Sequence, residues 1–82
     1  MNAAANIPQA SAIKSACDDM VFEAIIDTCD LAASYARSAS EAAWRGDRRL
    51  LAGHLAQLRL TVITALDFHK RLGALPDGGA HG

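Results

Sequence analysis

Aromatic side chains are scarce. Two Phe, one Tyr and one Trp make up 5% of the 82 residues, although 51% of the chain is apolar and alanine dominates. So few bulky, β-preferring side chains cannot fill the core of a sheet, and small apolar residues favour closely approaching helices. Proline is absent between Pro8 and Pro76, so nothing in the interior forbids long helices. No apolar run approaches the roughly 18 residues needed to span a membrane, and Met1 to Ala10 has neither a basic nor an apolar leader segment. The expectation is a cytoplasmic protein. A chain of this size buries only roughly 60 to 65% of its unfolded surface, which makes an isolated fold marginal.

Charge of one sign is also missing. The net charge of −1 argues against a purely electrostatic binder of nucleic acid or membrane. The balance hides a polarity. Residues 1–36 set Lys14 against Asp18, Asp19, Glu23, Asp27 and Asp30, whereas residues 37–82 carry Arg37, Arg45, Arg48, Arg49, Arg59, Lys70 and Arg71 against fewer acids. An acidic helix lying beside a basic one accounts for this pattern, and so would two differently charged docking faces.

Chemistry is absent too. His54 and His69 are fifteen residues apart, roughly 22 Å along a helix, and no Cys-x-x-Cys, His-x-x-x-His or Glu-x-x-His spacing occurs. Cys17 and Cys29 stand roughly 18 Å apart along one helix, beyond disulfide reach, and read as reduced packing residues. A thin helical pair also offers little concavity for a catalytic site. The expectation is a protein that is not an enzyme, with no catalytic residues, no metal and no cofactor.

What is present is punctuation. Gly46 suits the left-handed residue after a helix and Asp47 the N-cap of the next, so residues 9–72 read as an antiparallel helical hairpin with its turn at 46–47. Flexible ends are expected at 1–8 and 73–82. Ser38-Ala39-Ser40-Glu41 matches a capping box and, if it restarts the helix, would make three helices of two. At 100° per residue, Phe22, Ile25, Cys29, Ala32, Ala36, Ala39 and Ala43 form the expected seam of the first helix. Leu51, Leu55, Leu58, Val62, Ala65, His69 and Leu72 form that of the second. Folding back at Gly46 brings Glu23 near Lys70 and Ser34 near Arg59. Trp44 is expected to cap the end of the bundle or to anchor a partner, and His69 to be partly buried.

The first helix has more apolar surface than one neighbour covers. Ile13, Cys17, Met20, Ala24, Leu31, Tyr35 and Ala42 form a second stripe, to which the second helix adds Leu50, Leu60, Ile63 and Phe68. Such a stripe is costly to leave in water. Two readings cover it: self-association into a dimeric four-helix bundle, or docking of a helix from a different protein. The candidate partner contacts are Met20, Leu31, Tyr35, Leu60 and Phe68 for apolar contact, with Glu23, Asp27 and Asp30 for orientation.

A short helical hairpin with acidic Asp18 to Asp30, an apolar excess and an Ala/Arg-rich composition resembles the small antiactivators that bind LuxR-type quorum-sensing regulators and control conjugative element transfer in rhizobia. That resemblance implies a helical protein without a cofactor that sequesters a transcriptional activator by helix packing. The alternative is a dimeric four-helix bundle similar in layout to those that hold RNA stem-loops, with Arg45, Arg48 and Arg49 of the turn meeting phosphates.

Overall fold

The computed structural model describes the backbone of residues 2–73 and the side chains of residues 11–73. It contains two helices, α1 (Asn2–Trp44) and α2 (Arg48–Arg71), packed along one another as an antiparallel hairpin. The backbone of α1 thus begins ahead of residue 9. The side chains of the expected N-terminal end and the whole of 74–82 lie outside the described residues.

The turn follows the sequence punctuation. The Asp47 N–H donates to the Ala42 carbonyl at 2.9 Å and the Gly46 N–H to that of Ala43 at 3.0 Å, a paired closure of the end of α1. Gly46 sits at φ +69°, a left-handed conformation that a side chain would strain. The Asp47 carboxylate then caps α2 by accepting from the Leu50 N–H at 3.0 Å. At the far end the Gly73 N–H donates to Asp18 Oδ1 at 2.9 Å, tying the two helices together.

No break occurs at Ser38–Glu41, so α1 is one helix and the three-helix alternative is set aside. A capping box stabilises a helix start only where the chain turns away. Here Ser38 and Ala39 stay against α2, half-buried and buried.

Burial recurs every three and four residues, at Asp18, Val21, Ile25, Thr28, Ala32, Tyr35, Ala39 and Ala42 on α1 and at Leu51, His54, Leu58, Thr61, Ala65, Phe68 and Leu72 on α2. This is a heptad seam. Counting outward from the turn puts Ala42 level with Leu51, Tyr35 with Leu58, Thr28 with Ala65 and Val21 with Leu72. The seam lies one position aside from the expected one: Ile25, Ala32, Ala39, Leu51, Leu58, Ala65 and Leu72 are shared, but Phe22, Cys29, Leu55, Val62 and His69 are exposed. Along this seam Ala32, Ala39, Ala42 and Thr61 let the helix backbones approach closely. Polar members remain satisfied. Thr28 Oγ1 donates to the Ala24 carbonyl and Thr61 Oγ1 to that of Gln57, each at 2.6 Å.

The result is one layer, 67 × 24 × 10 Å, with a radius of gyration of 19.4 Å where a compact chain of this length would have about 12 Å. Only Ala39, Ala42 and Thr61 are buried among the described residues, and no large side chain is fully buried. Glu23 and Lys70 stand at the same height but on opposite outer edges, so they do not meet within the chain as expected. Lys70 pairs instead with Asp67 at 3.7 Å.

Candidate functional site

A one-layer hairpin has two open faces, and the heptad positions beside the seam assign the exposed residues to one of them or to the outer edges. On one side lie Phe22, Ile26, Cys29, Ala33, Ala36 and Ala43 of α1 with Ala52, Leu55, Val62 and Leu66 of α2. Asp19, Arg48, Arg59 and His69 interrupt this broad face, whose large members Phe22, Ile26 and Leu66 are 52%, 59% and 55% exposed. Each such side chain would gain about 1.5 to 3 kcal/mol on full burial.

The other side is different in kind. Thr28, Leu31 and Tyr35 of α1 and Gln57, Leu60, Thr61 and Thr64 of α2 line an open depression of about 250 Å³. Tyr35 and Gln57 also line a second depression, of about 570 Å³, with Asp47, Arg49, Leu50, Gly53 and His54. The two run together as a groove from the turn to the middle of the hairpin, with Tyr35 at their junction. Leu31 and Leu60 flank it, 49% and 53% exposed. Threonine hydroxyls leave its floor without unmet donors, because Thr64 Oγ1 donates to the Leu60 carbonyl at 2.9 Å, as Thr61 does to Gln57.

Gly53 opens the groove. A glycine inside a helix costs about 1 kcal/mol relative to alanine, and a Cβ built here meets nothing within 4 Å. The hairpin itself therefore has no packing need for it. Close approach by another molecule is the use such a position has.

The structure gathers some of the candidate contacts and scatters others. Leu31, Tyr35 and Leu60 come together around the groove, and Met20, 71% exposed, extends the same face with Asp27. Glu23 and Asp30 lie on the outer edge of α1, facing neither side squarely. Phe68 belongs to the seam, half-buried, with the Arg71 guanidinium carbon 5.4 Å from its ring centre. Arg45, Arg48 and Arg49 are exposed around the turn, and Arg49 reaches the groove's end. Trp44 is 88% exposed and caps nothing among the described residues. His69 is exposed, and His54 holds the seam position in its place. Cys17 and Cys29 are free and exposed, so neither is a packing residue within the hairpin.

Sequence reasoning missed Gly53, His54, Gln57 and the threonines. A glycine in the middle of an unbroken helical pattern was the available signal. Among the described residues no group of His, Cys, Asp or Glu is placed to hold a metal ion, and no helix is long and apolar enough to cross a membrane. No family model, curated protein or solved structure matches this chain.

Proposed function

We propose that the chain is a non-enzymatic protein-binding regulator whose groove, between Leu31 and Leu60 and floored by Tyr35, seats an amphipathic helix of a client protein. The observation that carries this reading is the continuous opening around Tyr35, where Gly53 leaves room for a knob that no residue of the hairpin supplies. The groove has the mixed lining of a docking site: leucines to take apolar anchors, with Tyr35, Gln57 and threonines to fix orientation. Its rim adds charge. Asp27 and Glu41 on α1 and Asp47 and Asp67 beside α2 outnumber Arg49 and Arg71 there, and favour a client helix with basic residues along its flanks. A transcriptional activator sequestered in this way is the antiactivator reading that the resemblance implies.

The test is capture on tagged full-length chain from its host, with and without nuclease, using wild type, Leu60→Asp and Gly53→Leu. The expected result is one protein retained stoichiometrically by wild type, insensitive to nuclease and lost with both variants, each of which keeps its helical spectrum. A catch indifferent to both variants would reject the groove. Binding that disappears with nuclease, and with Arg45, Arg48 and Arg49 changed to alanine, would shift the function to nucleic acid held at the turn.

A further inference from the structure

The groove accounts for one face of the hairpin and leaves the broad face bare. We propose that this broad face is covered by a second copy of the same chain, related by a two-fold axis parallel to the helices, so that α1 of each protomer lies over α2 of its partner with both turns at one end. The inference does not depend on the groove or its client.

The sizes of the side chains point to it first. Phe22 and Ile26 of α1 and Leu55, Val62 and Leu66 of α2 stand exposed together on this one side, a row of large apolar side chains that runs along both helices. Turned over, the face fits itself. Leu55 of the partner comes level with Ala36, Val62 with Cys29 and Ala33, and Leu66 with Ile26, so that branched side chains meet small ones for most of the length. The area is sufficient: α2 is 24 residues, about 36 Å long, on a layer 24 Å wide, a footprint on the order of the ~800 Å² per partner of a standard interface.

Charge selects the arrangement. With the turns together, Glu23 at the edge of α1 stands level with the partner's Lys70, and Asp30 lies about one turn from the partner's Arg59. These are the charges that the single hairpin holds on opposite edges and cannot pair. With the turns at opposite ends, Asp30 would stand beside the partner's Asp30 and Arg59 beside the partner's Arg59. Bringing the turns together also gathers Arg48 and Arg49. Each comes level with the exposed indole of the partner's Trp44, a surface suited to a guanidinium.

Sedimentation equilibrium on the full chain tests the proposal, with a mass twice 8.6 kDa expected at about 10 to 100 µM. Leu66→Asp should weaken the dimer by at least about 100-fold, and Leu60→Asp, on the groove face, should leave it intact. Should Leu66→Asp also lose its helix, charge reversal serves instead: Glu23→Lys weakens the dimer several-fold, and adding Lys70→Glu in the same chain restores it. Spin labels at Arg49→Cys, in a Cys17→Ser, Cys29→Ala background, should lie within about 25 Å of each other, against about 40 Å for turns at opposite ends. A folded monomer throughout that concentration range overturns the proposal, as does a dimer broken by Leu60→Asp and spared by Leu66→Asp. The longer label separation overturns the arrangement.

Discussion

The two faces of this hairpin are made from the same pair of helices, yet they differ in what they could hold. The broad face carries Phe22, Ile26, Leu55, Val62 and Leu66 with alanines between them and only Asp19, Arg48, Arg59 and His69 as charged or titratable interruptions. The groove face carries Met20, Leu31, Leu50 and Leu60, but sets them among threonines, Gln57 and the charged Asp27, Glu41, Asp67 and Arg71, around an opening beside Gly53. A broad surface of large apolar side chains suits burial against a fixed partner, whereas a hydroxyl-lined depression can open to water and close again on a partner. The two proposals give permanence to one face and exchange to the other.

The most direct way to break that assignment is a matched pair of substitutions, Leu66→Asp and Leu60→Asp. The two leucines are almost equally exposed in the hairpin, so the fold of the single chain treats them alike. Leu66→Asp should give the largest effect: the thermal midpoint falls and ceases to rise with protein concentration, as calorimetry across a concentration series would show. Leu60→Asp should move stability by no more than about 0.5 kcal/mol while removing client binding. Equal effects on stability would erase the distinction between the faces.

The seam that separates the faces gives the next effect. Ala42 has no exposed surface, and Ala42→Leu should cost about 1 to 3 kcal/mol in denaturant unfolding, because the helices cannot part without disturbing the turn beside them. Asp47→Ala removes the cap of α2 and should cost about 1 kcal/mol by the same measurement. The smallest change has the opposite sign. Gly53→Ala should raise stability by up to about 1 kcal/mol, since nothing in the chain meets the added methyl. A loss of client affinity in that more stable variant would sharpen the case that the glycine serves the groove.

Much of the hairpin was legible in the residues. Gly46 and Asp47 marked the turn because a left-handed carbon and a capping carboxylate are local requirements, met within a few bonds. Leu31, Tyr35 and Leu60 were legible as leftover surface and do share a groove. The seam was read one position aside. An apolar arc broader than one neighbour can cover has two edges and a middle, and periodicity alone favours its bulkiest line, Phe22–Cys29 and Leu55–Val62. For the same reason His69 was read as a seam residue, the place that Phe68 holds.

The sequence by itself determined that there are two helices, where they turn and that each carries more apolar surface than a single partner buries. Those properties depend on propensity, capping and composition, which act over a few neighbouring residues. Only the tertiary structure decided which slice of each arc became the seam. That choice depends on how the two helices pack against each other over their whole length, which no local stretch of residues contains. Burying Val21, Thr28, Tyr35, His54, Thr61 and Phe68 left Phe22, Cys29, Leu55 and Val62 outside, and the two faces follow from that packing decision.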